Sequence, residues 1–367
     1  MNLLKHLGCI DDPRLQRTRR HDLQAILTIA LCATIAGADN WVEVAEFGKL
    51  HQAWFERLVP MPSGVASHDT FARVFRLLDA QELERVCQQW LSQIAGPVQG
   101  TVAIDGKSVR GSHKGDARKA LHLVSAWAAD MGVLLGQRKV DGKSNEITAI
   151  PELLRLLQLK GCIVTIDAIG CQKEIAAQLH GHGAHYVLSL KGNQPHMHGV
   201  VKKHCEAMHE CDNTYNEHVT GHGRQEQRSY KVYPVPAALQ RAADAWPGLS
   251  SVVQVVRQRQ AKGKPQSQET SYYLSSLPAH TGADVLAHSI RAHWSVENQL
   301  HWSLDVAMRE DAAQSYKDQG PHNQSLLRRM ALQLLKSDTS VKVGVQAKRK
   351  RAGWDVGYLE HILGISI

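Results

Sequence analysis

Two aspartates in this chain sit in matching settings. Asp105 closes the apolar run Val102-Ala103-Ile104 in "VAIDGK", and Asp167 closes Val164-Thr165-Ile166 in "VTIDAI". Each ends a strand that reads as buried on both faces. In open α/β sheets, sites form at the carboxyl ends of strands. If these strands are neighbours, their carboxylates meet at one edge and raise each other's pKa. A divalent cation removes that repulsion, and hard Mg²⁺ prefers carboxylate oxygens, water and phosphate. The alternative is that each Asp is a turn former at a strand end. The matched pair in a basic chain favours the metal site. A third acid is then needed, and Glu297 in "IRAHWSVENQLHW" is the best candidate. Helical spacing places His293, Trp294, Leu300, His301 and Leu304 on its side. Its rivals are Asp305, Glu310 and Asp311 downstream and Glu146 upstream. Two bridged Mg²⁺ ions, with Mn²⁺ as a substitute, would suit in-line phosphodiester displacement. The cations beside the acids then acquire a use. Lys107 and Arg110 follow Asp105, Lys173 follows Asp167, and Lys191 and Asn193 follow the strand in "YVLSLKGNQ". Each could hold phosphate oxygens, or be an ordinary loop residue.

The totals agree with a polyanion partner. The chain has 367 residues, 43% hydrophobic and 21% charged, with a formal net charge of +8 before its 21 histidines are counted. That is the balance of a soluble globular protein with room for two or three domains. The basic surplus points to nucleic acid. Seven cysteines with no CxxC pair argue against a disulfide scaffold and fit a reducing cytoplasm. No signal peptide is visible, and "ILTIALCATIAGA" is too short to span a bilayer, so no membrane association is expected.

The elements that must carry the acids follow from periodicity. Residues 1–95 read as helices: a nearly all-apolar one through "ILTIALCATIAGA", an amphipathic one through "WVEVAEFGKLHQAWFERL", and a third capped at Ser67 or Asp69. "HLVSAWAAD" and "VLLGQRKV" read as a hairpin around Met131-Gly132. "SNEITAIPELLRLL" reads as a helix with Ser144 as N-cap and Pro151 inside its start, then strand, helix and strand follow through "CIVTIDA", "CQKEIAAQLHGHG" and "HYVLSLKGN". This alternation implies a mixed α/β sheet. Residues from Pro195 to about Thr270 read as a smaller, polar β module inserted in the fold. From Asp284 a single long helical pattern runs through "VAMRED", and a basic tail follows.

Several of these segments together resemble a known family. "AIDGKSVRGS", "TIDAIGCQKEIA", "YVLSLKGNQ", "GHGRQEQRSY", "YYLSSL" and "IRAHWSVENQLHWSLDVAMRED" look like the transposases of ISAs-type insertion sequences, to which the H-repeat-associated proteins belong. "DDPRLQRTRRHDLQAILTIALCATIAGADNWVEVAEF" and "ASHDTFARVF" resemble that family's associated N-terminal domain. The likeness covers nearly the whole chain. It implies an α/β fold: an RNase H-like mixed sheet core with helices on both faces, an all-helical N-terminal domain and an inserted β-rich subdomain. The boundaries are then 1–95 for the N-terminal, DNA-binding domain, 96–195 for the first part of the core, 196–270 for the insertion, 271–335 for the second part with the Glu helix, and 336–367 for a basic tail.

The resemblance also implies Mg²⁺-dependent cutting and joining of DNA by Asp105, Asp167 and Glu297. The partners would be transposon ends and target DNA, with a homodimer on the paired ends, in the bacterial cytoplasm and on the nucleoid. Related transposases often carry Tyr, Arg and Lys around the catalytic Glu; Ile290, His293 and Leu304 stand there here, so His293 and Arg291 would take over the phosphate contact. Arg224 and Arg228 in the β-rich segment, and Lys348, Arg349, Lys350 and Arg351 in the tail, are further DNA contacts by charge. The pair Arg19-Arg20, with Arg14 and Arg17, is a possible phosphate contact. The histidines between His180 and His209, with Cys205 and Cys211, match no structural zinc spacing. Trp294 and Trp302 read as core. The competing functions are a DNA-binding remnant that no longer catalyses, and a metal-dependent endonuclease without strand transfer.

Overall fold

The computed structural model describes residues 3–113, 120–140, 146–208, 210–221, 223–263 and 265–365. Ser144 and His209 lie outside them. The N-terminal region is helical: α1 (Leu3–Leu7), α2 (Leu23–Ile35), α3 (Trp41–Leu50), α4 (Gln52–Phe55), α5 (His68–Leu77) and α6 (Ala80–Ala95). Helix α2 begins where the Asp22 side chain accepts from the Ala25 N–H, and nearly every residue along it is buried. Ser67, rather than Asp69, caps α5. Of the arginines preceding α2, Arg14 is buried and forked onto Asp12, and Arg19 also reaches Asp12; Arg17 and Arg20 are exposed.

One nine-stranded sheet follows. Strands β1 (Thr101–Val109), β2 (Leu121–Ala128) and β3 (Val133–Val140) form an antiparallel meander, turning at Gly132, whose φ of +67° suits glycine. Helix α7 (Glu146–Leu154), with Pro151 well inside it, leads to β4 (Ile163–Ile166). Helix α8 (Lys173–Gly181) leads to β5 (His185–Leu190), and α9 (Pro195–Ala207) follows. Strands β1, β4 and β5 run parallel. Helices cover both faces because β1 alternates. Ala103 packs on the side of α2, α6 and the C-terminal helices. Val102 and Ile104 pack on the side of Ile150, Leu153, Ile175 and Leu179, from α7 and α8.

The β-rich segment that follows α9 is continuous with the core sheet. Its strands β6 (Thr214–Gly221), β7 (Arg224–Pro234), β8 (Ser251–Ala261) and β9 (Ser267–Ser275) are not a module apart, although the short α10 (Gln240–Ala243) interrupts them. They prolong the core sheet, in the order β3-β2-β1-β4-β5-β9-β8-β7-β6. The reason is a single seam: β9 pairs antiparallel with β5 from Val187↔Ser275 to Leu190↔Tyr272.

The long helix expected from Asp284 is also interrupted. Helix α11 (Ala283–His293) covers β5, β7 and β8 through Leu286 and Ile290. Two π-helical turns follow, Val296–His301 and Ser303–Ala307. The Trp302 N–H donates to the Glu297 carbonyl, five residues back, and the Ser303 hydroxyl takes the Gln299 carbonyl at 2.7 Å. The wider turn leaves Glu297, Asn298 and Gln299 outward and buries Val296, Leu300 and Leu304. Trp294 and Trp302, expected in the core, are 51% and 60% exposed, because they fall on the outward side of that turn.

Helices α12 (Gly320–Ser337), α13 (Val345–Trp354) and α14 (Val356–Leu363) end the chain. The basic tail is thus folded, and two of the four cations at 348–351 are interior. Lys348 Nζ donates to the Leu335 carbonyl at 3.0 Å and lies 3.6 Å from Asp338. Arg349 donates to the Thr34 carbonyl and to Asp39 Oδ1, both at 3.1 Å, and also to the Ala307 carbonyl. These cations satisfy carbonyls at the ends of α12 and α2, where a positive charge is favoured. That removes Lys348 and Arg349 from the surface; Lys350 and Arg351 remain exposed. Arg349→Leu should therefore cost on the order of 3 kcal/mol of folding stability, while Lys350→Ala stays within about 0.5 kcal/mol. Urea unfolding of the two variants decides; equal midpoints would contradict the interior role.

Candidate active site

The parallel pairing of β1 with β4 brings the two aspartates together. It runs from Thr101↔Ile163 to Ile104↔Ile166, so Asp105 and Asp167 are the next residues along the two strands. Asp105 remains in β1, opposite Ser125 of β2. Asp167 leaves its strand and accepts from the Ile169 N–H at 3.0 Å and the Gly170 N–H at 3.4 Å. The turn-forming role is therefore real for Asp167, and it fixes the carboxylate rather than consuming it. Glu297 faces them from the first π-helical turn. All three line one open cavity of about 730 Å³, with Lys191, Arg224, Arg228, Arg257, Arg259 and Arg291 around it.

The electrostatics are lopsided. Burial pushes the Asp105 carboxyl up to about 7; the charges of Asp167, Glu297 and Glu146 add to this, against a backbone hydrogen bond from Gly106. Asp167 is also raised by burial and by Glu146, while the Gly170 and Ile169 N–H groups and Lys191 pull the other way. The nearest partner of Asp105 is His301, with Nδ1 3.5 Å from Oδ2. Burial first, then Arg329 and Lys107, hold that imidazole at about 3, so it supplies no countercharge at neutral pH. Its Nε2 is buried without a hydrogen-bond partner among the described residues.

The predicted phosphate contacts divide. Lys107 is buried and points away from the cavity, on the same side of β1 as Asp105. Its Nζ lies 2.7 Å from Asp305, 2.9 Å from Glu310 and 3.3 Å from Asp311. Glu310 is fully buried and also takes Arg329 at 2.6 Å. Burial alone would pull Lys107 down, but Glu310 and the hydrogen bonds to Asp305 and Glu310 hold it above its ordinary value. Lys107 is thus an internal cation with no donor left for a phosphate. His293 lines the cavity with the acids; burial lowers it to about 4, and its Nδ1 lies 3.1 Å from the Thr165 hydroxyl, so it brings no positive charge there. The same interior explains the rivals of Glu297: Asp305, Glu310 and Asp311 are engaged by Lys107.

The remaining predicted contacts lie at or near the surface. Arg110 is 85% exposed and 3.7 Å from Asp311. Lys173 begins α8 and is exposed. Asn193 donates to the Ala168 carbonyl and so braces the loop after Asp167. Lys191 and Arg224 are exposed on the cavity wall and carry no ion pair among the described residues. Arg228 is held by Glu226 and by Glu217 at 3.4 Å, and Arg291 lies 3.7 Å from Glu217. Sequence reasoning missed Arg257 and Arg259. The signal was present in "SVVQVVRQRQ": on β8 the period of two places Val253, Val255, Arg257 and Arg259 on one face.

The acids offer hard oxygen donors, and among the described residues neither Asp105 nor Glu297 is paired with a cationic Lys or Arg. No group of three His, Cys, Asp or Glu side chains among the described residues is already gathered as a metal-holding set. The donor chemistry and the uncompensated charge fit a divalent cation that would draw the carboxylates in.

Comparison with known proteins gives the family. A family model described as "Transposase DDE domain" matches residues 96–334, and one described as "DDE_Tnp_1-associated" matches residues 4–91. A protein of Escherichia coli O157:H7 named "Putative transposase YncI" is 38% identical over 99% of this chain and 94% of its own. One of Escherichia coli K12 named "H repeat-associated putative transposase YhhI" is 35% identical over 98% of this chain and 97% of its own. Among solved structures, a piggyBac transposase in a synaptic complex with hairpin DNA superposes with a TM-score of 0.50 at 10% identity, over 99% of this chain and 80% of that one. At that identity the likeness speaks for the RNase H-like fold alone.

Two stability outcomes follow from the charges. With its pKa raised from about 4 to about 7, ionised Asp105 destabilises the fold increasingly as pH rises through that window, and fully above it. Without divalent cations, Asp105→Asn should thus be more stable than wild type at pH 8, by on the order of 2–4 kcal/mol, and the gain should shrink below pH 7. A variant less stable at pH 8 would contradict the reading. Lys107→Met strands Glu310 and its neighbours and should cost about 3–5 kcal/mol in chemical denaturation; a loss under about 1 kcal/mol would place Lys107 outside the interior cluster.

Proposed function

This chain belongs to the DDE transposase family, and we propose that it hydrolyses phosphodiester bonds at the ends of an insertion sequence and transfers the freed 3′-hydroxyls into target DNA. The observation that supports the reading best is the convergence of Asp105, Asp167 and Glu297 on one basic-walled cavity, where, among the described residues, neither Asp105 nor Glu297 is ion-paired with a Lys or Arg. Asp105, Asp167 and Glu297 would hold two Mg²⁺ ions, or Mn²⁺. Such ions activate an attacking water or 3′-hydroxyl and stabilise the leaving oxygen. The protein's own contribution is placement. The parallel strands fix the two aspartates in register, and the π-helical turn presents Glu297 from across the cavity. His301 and His293, both neutral, leave the carboxylate charge for the cations. Lys191, Arg224 and Arg259 offer exposed charge to the DNA backbone, while Arg228, Arg257 and Arg291 are partly neutralised by glutamates and shape the wall. Arg110, Lys173, Lys350 and Arg351 are exposed cations outside the cavity lining that would add contacts to the DNA backbone. The helical region 1–95 would add DNA contacts, and a homodimer would pair two ends.

The test uses the full chain, Mg²⁺ and duplexes bearing the element's terminal repeats. Cleavage and joining should both occur, and joining separates a transposase from a nuclease that only cuts. Asp105→Asn, Asp167→Asn and Glu297→Gln should each lower the cleavage rate on the order of a thousandfold or more, with DNA binding little changed. A variant that cuts at the wild-type rate removes its residue from the site.

A further inference from the structure

Glu146 has no part in the triad, yet the fold fixes it beside the two aspartates. It opens α7, is only 4% exposed, and its Oε1 lies 2.6 Å from His122 Nε2. His122, on β2, is buried too, and its Nδ1 is 2.8 Å from the Ser108 hydroxyl of β1. Ser108 and His122 are direct register partners, so the imidazole is held between a strand hydroxyl and a helix carboxylate. The contact is close enough to dictate a glycine. A Cβ on Gly106 would fall 2.5 Å from Glu146 Oε1 and 2.9 Å from His122 Nε2. Glu146 therefore presses on the backbone immediately after Asp105, from the face of β1 that Gly106 opens. Its charge is felt by both Asp105 and Asp167. A carboxylate has about four lone-pair positions, and among the described residues His122 is its one hydrogen-bonded side chain.

We infer that Glu146 is a fourth carboxylate of this site, braced by the Ser108–His122 pair, and that it strengthens the hold on a divalent cation. This rests on the cation-binding part of the proposed function and not on strand transfer. Histidine here is a positioning residue: it orients the carboxylate, as outer hydrogen-bond partners of metal ligands do.

The experiment titrates the full-length protein, without DNA, with Mn²⁺ alone, and follows free Mn²⁺ by electron paramagnetic resonance. Glu146→Gln should weaken Mn²⁺ binding about tenfold or more, and Ser108→Ala by a smaller factor. Glu146→Asp keeps the charge but withdraws it by one methylene, and should also bind more weakly; it decides the matter if the Gln variant does not fold. Wild-type affinity in the folded Gln variant, or in the Asp variant when Gln fails to fold, overturns the inference. Wild-type protein that binds Mn²⁺ and loses it in Glu146→Gln, but never cuts terminal repeats, would support the inference and sink the transposition reading. Wild-type protein that binds no Mn²⁺ sinks both.

Discussion

Lys107 and the three carboxylates around it join the two halves of the site. The strand that carries Asp105 and the segment that carries Glu297 are almost two hundred residues apart in sequence. They meet where Lys107, two residues after Asp105, is enclosed by Asp305, Glu310 and Asp311, eight to fourteen residues after Glu297. A buried charge cluster is a poor source of net stability, but breaking it is costly. It therefore specifies one docking of the π-helical segment against the sheet. Arg329 completes the cluster from α12 and ties the C-terminal helices to the same point.

The short run from Asp105 to Ser108 can then be read residue by residue. Odd positions face the C-terminal helices: Asp105 toward the cavity, Lys107 into the charge cluster. Even positions face α7: Gly106 leaves space for Glu146, and Ser108 takes His122. One strand thus serves two opposite electrostatic regimes. On one side of Lys107 the carboxylates are neutralised by cations of the protein. At the cavity, among the described residues, no Lys or Arg is ion-paired with Asp105 or Glu297, and burial pushes Asp105 up to about 7. The interior acids are paired, and the charge of the cavity acids is what the proposed cations would balance.

Much of this was legible in the sequence, for definite reasons. Apolar runs marked β1 and β4, because strands buried on both faces must be apolar; β4 does end before Asp167, whereas β1 runs on through Asp105 to Val109. Glu297 stood out as an acid among aromatic and apolar neighbours. The π-helical turns were not legible, since a widened turn keeps the same apolar residues at nearly the same spacing. Lys107 looked like a phosphate ligand because its carboxylate partners lie two hundred residues on. Arg349 looked like part of a solvated tail for the same reason, since Thr34 and Asp39 lie far back in the sequence; the partners of Lys348, the Leu335 carbonyl and Asp338, are near in sequence, but charge pattern alone does not show that the chain folds back onto them. The β-rich segment looked separate because its exposed outer strands are polar, while the seam from β5 to β9 is a pairing that local pattern does not encode.

The central claim is that a divalent cation sits between Asp105, Asp167 and Glu297, and the most direct measurement maps it on the polypeptide. Fe²⁺ put in place of Mg²⁺, with ascorbate and peroxide, generates radicals that cut the chain near the bound ion. The account predicts cuts clustered around residues 105, 167 and 297, suppressed by excess Mg²⁺ and lost in Asp105→Asn. Cuts confined to the region of Asp305, Glu310 and Asp311, or no localised cuts at all, would contradict it.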